Sequence, residues 1–286
     1  MKFKGDTTIE ATFSEPKFAI GADGTRIAYY IYGHGPEVMF WQHGFNSDAE
    51  HWEYMLPYFP PDEYRIIAPD LRGCGRSDKP TDEKAYSFDH LAHDALAVVR
   101  AEGLQSCTLV GHSTGGAIAQ WLAAELGDAI KALVLIGPVP ATGVPVNDAA
   151  RALFLQGADD ADKTQGRAQI LKLGWYGEMP ADTLDALLPG ALTWSREAFI
   201  GVFDTWTRGI HFPERLAHIT APTIVIGGQH EPFLKKDFMM ATVVNLIRDA
   251  RYVTVLDSAH FIHIQTAPVT AGIVRGFVAA QPAPRH

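Results

Sequence analysis

Short apolar runs separated by helix-length stretches recur along much of this 286-residue chain. Val38-Met39-Phe40-Trp41, Tyr64-Arg65-Ile66-Ile67-Ala68, Cys107-Thr108-Leu109-Val110, Ala132-Leu133-Val134-Leu135-Ile136, Pro222-Thr223-Ile224-Val225-Ile226 and Tyr252-Val253-Thr254-Val255-Leu256 each read as a strand. Between them, residues 88–102 place Phe88, Leu91, Ala95 and Val98 on one helical face, with Gly103 as the stop, and residues 117–126 read as another helix. Apolar strands alternating with helices predict a parallel sheet covered on both faces. Upstream, Ile27-Ala28-Tyr29-Tyr30-Ile31-Tyr32 is rich in β-formers, and Gly33-His34-Gly35-Pro36 turns it into the next strand.

The alternation stops near Gly137. Residues 138–209 carry helical patterns and no strong strand, as in 195–206, where Phe199, Phe203 and Trp206 recur at helical spacing. A helical insert in a sheet protein predicts a lid, with a core of residues 1–137 and 210–286 and a cap of 138–209. The plainer alternative is that these helices pack on the sheet like the others.

The formal net charge is −9. A surface of that sign repels phosphate backbones, and no Lys/Arg-rich run offsets it, so nucleic acid is excluded as an expected partner. Two cysteines, Cys74 and Cys107, supply no disulfide framework; Cys107 opens an apolar strand and Cys74 lies between two glycines. The start, Met1-Lys2-Phe3-Lys4-Gly5-Asp6, has no apolar stretch behind its basic residues, and no run approaches the roughly 18 apolar residues of a membrane span. The expectation is a cytoplasmic protein, with residues 281–286 as a frayed tail.

Chemistry enters at Gly111-His112-Ser113-Thr114-Gly115-Gly116, which follows a strand and opens a helix. Strand, Gly-x-Ser-x-Gly, helix is the setting of a nucleophile elbow, in which a sharp turn pushes the serine hydroxyl outward. The run lacks the Gly-Lys-Ser/Thr ending of a phosphate loop. A serine hydroxyl needs a base, and the base needs a group to orient it. In a fold with an elbow serine these follow in the order Ser, acid, His, at strand ends. Of twelve histidines, His260 stands in the loop after the last strand, and His263 reads as the start of the closing helix. Glu231 is the carboxylate of the turn Gly227-Gly228-Gln229-His230-Glu231-Pro232, with Asp257, Asp237 or a residue after the 132–136 strand as alternatives for the acid. The oxyanion donors are expected at the backbone N–H of Thr114 and of Phe45, the latter in Gln42-His43-Gly44-Phe45-Asn46, where His43 reads as a structural hydrogen-bonder.

Together these residues resemble the α/β-hydrolase fold superfamily across nearly the whole chain. His43-Gly44-Phe45 is similar to its oxyanion loop, and Asp70-Leu71-Arg72-Gly73-Cys74-Gly75-Arg76-Ser77 to its Asp-x-Arg-Gly-x-Gly-x-Ser turn. The 111–116 run resembles its elbow, residues 222–232 its Pro-strand-Gly-x-x-Asp-Pro segment, and Ala259-His260-Phe261 its Gly-His-Phe base loop. Two positions depart from the pattern: Glu231 stands where Asp is usual, and Ala259 where Gly is common. The resemblance implies an α/β fold with a mostly parallel eight-stranded sheet flanked by helices, a helical cap after strand 6, and neither cofactor nor metal. The elbow and the Gly137-Pro138-Val139-Pro140 exit look closest to esterases and bacterial non-heme haloperoxidase-like serine hydrolases. Haloalkane dehalogenases and epoxide hydrolases of this fold carry an aspartate nucleophile, where this chain has Ser113.

The expected activity is hydrolysis of a small carboxylic ester or lactone by Ser113, His260 and Glu231 through an acyl-enzyme. The alternatives are cleavage of a carbon–carbon bond in a vinylogous diketone by the same triad, or a non-catalytic ligand receptor. The cap's aromatic residues, with Trp175, Trp194, Phe199 and Trp206 as candidate substrate contacts, predict a small-molecule substrate with an apolar part. Arg72 and Arg76 read as braces, so a strongly anionic substrate is not indicated unless a cap arginine such as Arg208 reaches the site.

Overall fold

A computed structural model of the chain describes residues 11–159, 161 and 163–281. The readings of residues 1–6 as no secretory signal and of 282–286 as a frayed tail lie outside the described residues. Eight strands form one sheet: β1 (Lys17–Ile20), β2 (Arg26–Tyr32), β3 (Glu37–Gln42), β4 (Tyr64–Pro69), β5 (Cys107–His112), β6 (Ile130–Ile136), β7 (Thr223–Gly228) and β8 (Ala250–Val255). Their order is β1-β2-β4-β3-β5-β6-β7-β8. β2 runs antiparallel to both neighbours, and every pairing from β4 to β8 is parallel.

The period of two along a strand decides which residue serves which layer. In β6, Leu133 and Leu135 join a cluster with Leu91 and Ala95 of α1 (Phe88–Ala101) and Ile118 and Leu122 of α2 (Thr114–Leu126). Val134 and Ile136 point the other way, into a cluster with Trp41 and Trp52. Because neither face meets water, the central strands read as unbroken apolar runs, and each fully buried aliphatic side chain contributes about 1.5–3 kcal/mol.

Between β6 and β7 lie α3 (Asp148–Leu155), α4 (Lys163–Leu173), α5 (Ala181–Leu192) and α6 (Arg196–Asp204). The Asn147 side chain accepts from the Ala150 N–H, and Ser195 from the Ala198 N–H, so α3 and α6 begin at capped positions. The α-helix expected over 195–206 stops at Asp204 and continues as a π-helical turn, Thr205–Gly209. The Thr207 hydroxyl donates to the Phe203 carbonyl, a local side-chain bond that competes with regular winding, and that of Thr205 donates to the Tyr86 carbonyl of a segment distant in sequence. After β7 come α7 (Lys236–Thr242), α8 (Ile262–Gln265) and α9 (Ala267–Ala279), whose Ala271, Val274 and Val278 cover the face holding Trp41. Among the described residues no helix is long and apolar enough to cross a membrane.

One boundary shift bears on function. α2 starts at Thr114, directly after Ser113, and so takes in Gly115 and Gly116, which the sequence pattern left outside the helix. A Cβ at Gly115 would collide with the carbonyl oxygens of Gln42 and His43. Glycine there lets the first turn of α2 press against the end of β3, which places the elbow beside the 43–45 loop.

Candidate active site

The carboxyl ends of β3, β5, β7 and β8 meet at one edge of the sheet, where parallel α/β sheets put their ligands. Ser113 follows β5 with φ 53° and ψ −122°, outside the regions favoured by an L-residue. The surroundings hold it there. Its N–H donates to the Ile136 carbonyl at 3.1 Å, and its own carbonyl accepts from the amides of Gly116 at 2.8 Å and Val139 at 2.9 Å. A strained residue persists only when its neighbours over-determine it, as these three bonds do.

His260, after β8, directs Nδ1 at Oε2 of Glu231, after β7, at 2.9 Å. The other Glu231 oxygen accepts from the amides of Phe233 at 3.0 Å and Leu234 at 3.3 Å. Burial pushes this carboxyl's pKa up, but the charge and ring N–H of His260 and the two amides outweigh it and hold Glu231 below the ordinary glutamate range. An ionised carboxylate is acceptor-only, so Nδ1 of His260 is the donor in this bond. Of the other acids considered, Asp257 and Asp237 are both exposed. The ring of His112, the residue before the serine, is fully buried, and its Nε2–H donates to the His260 carbonyl at 3.1 Å. Nothing in the Gly-x-Ser-x-Gly pattern marked His112 for contact with His260.

The 43–45 loop approaches from β3. A Cβ at Gly44 would press on the Ser113 Cβ, so only glycine allows this approach. His43 accepts at Nε2 from the Leu71 N–H at 3.0 Å and donates from Nδ1 to the Gly44 carbonyl at 2.8 Å. That clasp fixes the plane of the Gly44–Phe45 peptide and hence the direction of the Phe45 N–H. Among the described residues neither the Phe45 nor the Thr114 amide donates to another backbone group. Burial lowers His43 to about 3, so it is a neutral brace. His43, Asp70 and Cys74 lie close enough to share an ion, but their atoms are engaged. Asp70 accepts from Tyr30, Ala49 and Arg76, and burial raises the Cys74 thiol well above its ordinary range.

Ser113 and His260 open onto one cavity of about 40 Å³, with walls that include Phe45, Val139, Phe154, Ile170, Trp206 and Phe261. Among the described residues no Lys or Arg lines it; Arg208 is exposed and pairs with Asp204. Of the four aromatic residues considered for substrate contact, Trp206 is on the wall. Trp194 and Phe199 are fully buried behind it, packed on Phe45 at ring separations of 5.4 and 4.5 Å. Trp175 packs with Leu171 and Phe261 in a separate apolar cluster. Helical spacing alone cannot separate a cavity wall from the layer behind it.

Residues 37–185 match the family model described as alpha/beta hydrolase fold. The chain is 29% identical over 249 residues to a non-heme haloperoxidase of Rhodococcus erythropolis, covering 82% of this chain and 89% of that protein. It is 28% identical over 250 residues to a bifunctional esterase/perhydrolase of Acinetobacter calcoaceticus, covering 81% of this chain and 88% of that protein. The esterase EaEST of Exiguobacterium antarcticum superposes with a TM-score of 0.83 at 20% identity, covering 92% of this chain and 99% of that one. The chain belongs to the α/β-hydrolase fold family.

Proposed function

We propose that this protein is a serine hydrolase that cleaves a small, uncharged carboxylic ester or lactone through an acyl-enzyme on Ser113. The observation that carries the reading is the His260–Glu231 hydrogen bond, set at the cavity onto which the strained Ser113 opens. Relatives named as an esterase and a haloperoxidase support a hydrolase of this kind.

Nε2 of His260 takes the Ser113 proton as Oγ attacks the carbonyl, and Glu231 stabilises the imidazolium that forms. The Phe45 and Thr114 amides receive the oxyanion, and loss of one such donor costs about 10²–10³ in rate. His260 then hands its proton to the leaving alcohol. Water, deprotonated by His260, releases the acid and restores Ser113. A wall that is apolar and holds no Lys or Arg among the described residues favours a neutral acyl group, since a buried unpaired carboxylate is costly.

The test is labelling with a fluorophosphonate, followed by intact mass and peptide mapping, alongside hydrolysis of p-nitrophenyl acetate and of a vinylogous diketone. One adduct on Ser113, ester turnover, and loss of both in Ser113→Ala are expected. Diketone cleavage without ester turnover would move the reading to a carbon–carbon hydrolase. A folded protein that neither labels nor turns over would be a receptor.

A further inference from the structure

The inserted helices are stitched to the loop that carries the base. The Gly174 carbonyl, one residue past α4, accepts from the N–H of His260 at 2.9 Å and of Phe261 at 3.3 Å. Gln265, the last residue of α8, spans the same seam with both atoms of its amide. Its Nε2 donates to the Tyr176 carbonyl at 2.7 Å, and its Oε1 accepts from the Tyr176 N–H and the Ala259 N–H, each at 3.2 Å. One side chain therefore joins residue 176 of the insert to residue 259 of the base loop. The Tyr176 ring also lies flat on His230, beside Glu231, at 3.8 Å and 3°.

This seam continues into the cavity wall. Ile170 of α4 lines the cavity, four residues before Gly174 in sequence. Ser113 is 8% exposed and His260 9%, and both open onto that cavity. Movement of α4 draws on Gly174, the acceptor for the His260 N–H. Gln265 resists that movement because one amide meets three backbone groups, a task that needs a donor and an acceptor together.

We propose that Gln265 is a positioning residue that couples the inserted helices to the catalytic base, so that His260 holds its working geometry only while residues 174–177 are docked. The proposal rests on the Ser113–Glu231–His260 reading above. Gln265 is not itself a lining residue, and its side chain bonds neither Glu231 nor His260; its backbone N–H donates to the carbonyl of the wall residue Phe261 at 2.8 Å. It acts through the base loop, and small misplacements of a catalytic group are costly, about 10² in rate for 1 Å.

The experiment compares wild type, Gln265→Leu and Gln265→Glu in p-nitrophenyl acetate hydrolysis, fluorophosphonate labelling rate and thermal midpoint. Gln265→Leu is expected to lower kcat by about 10- to 100-fold and slow labelling in parallel, with KM changed much less because the wall is intact. Gln265→Glu keeps the acceptor for Ala259 but sets a second acceptor against the Tyr176 carbonyl, so its kcat falls between the two. Tyr176→Ala, which removes the stack on His230 with Gln265 intact, is expected to lower kcat in the same direction, and it carries the test if Gln265→Leu does not fold. Unchanged kcat and labelling in folded variants, even with a lower midpoint, would overturn the coupling. A wild type that fails to label at Ser113 would instead overturn the underlying reading.

Discussion

Nδ1 of His260 and Oε2 of Glu231 stand 2.9 Å apart, while Oε1 of the same carboxylate is held by the amides of Phe233 and Leu234. Glu231 is thereby anchored on its own loop by one oxygen and offers the other to His260. Glu231→Gln keeps the shape but replaces an ionised acceptor with an amide, and the wrong tautomer of His260 becomes accessible. A fall in kcat of about 10⁴ is expected, as for acid-to-amide changes in such triads. Glu231→Asp retains the charge but is one methylene short, and the two amides hold it back from His260; about 10²-fold is expected from the misplacement. Equal activity of wild type and Glu231→Gln would remove Glu231 from the mechanism.

The strain at Ser113 predicts a stability effect opposite in sign to the loss of activity. A non-glycine residue held outside the favoured regions costs about 1–3 kcal/mol. Ser113→Gly removes the Cβ that makes φ 53° unfavourable, whereas Ser113→Ala keeps it. Both variants should be inactive, with Ser113→Gly unfolding at higher denaturant by about 1 kcal/mol relative to Ser113→Ala. A less stable Ser113→Gly would mean that the elbow carries no strain.

The cavity size predicts acyl-chain preference. About 40 Å³ accommodates few atoms, given about 10–15 Å³ for one water on the same measure. Phe154 and Trp206 form part of the wall, their rings 5.7 Å apart. kcat/KM for p-nitrophenyl esters should fall steeply from acetate to octanoate in the wild type. Phe154→Ala should move the optimum to longer chains, each accommodated methylene being worth about 1–3 kcal/mol. An optimum that stays on acetate in Phe154→Ala would place the acyl group elsewhere.

The framework was legible because the central strands are buried on both faces and so read as apolar runs with loops at fixed ends. Ser113, Glu231 and His260 stand out in sequence because each lies in the turn or loop after a strand: Ser113 directly after β5, Glu231 three residues past β7 and His260 five past β8. Less of the wall was legible. Phe199 and Trp206 recur on one helical stripe, yet Trp206 is on the cavity wall while Phe199 packs behind Phe45. His112 and Gln265 were silent because their partners are backbone groups distant in sequence, and a backbone carbonyl carries no residue code.

Four buried histidines each weaken the fold as pH falls. His43, His51, His112 and His263 are each at most 3% exposed. Burial lowers His43 to about 3 and His51 to about 4, the latter against a bond to the Leu187 carbonyl. Burial, with the neighbouring histidines, holds His112 and His263 well below the ordinary value, their rings 4.3 Å apart. The sign is that of depressed folded-state values. Above about 6.5 both states are neutral and the stability is complete. Below it the unfolded chain binds protons that the folded one refuses, so stability falls with pH until the folded values are reached. A group whose folded value lies below that window contributes about 1.4 kcal/mol per pH unit within it. Four carboxyls work against them. Burial first, with neighbouring carboxylates, raises Asp48 well above the ordinary value and Asp70, Asp94 and Glu53 above it, so their contributions are complete below about 4 and are lost as pH rises. The histidine contribution is therefore read by difference, by calorimetry at pH 5.5 in buffers of different ionisation heat. His263→Phe should take up about one proton fewer than wild type on unfolding. An uptake unchanged in His263→Phe would show that this ring titrates in the folded protein.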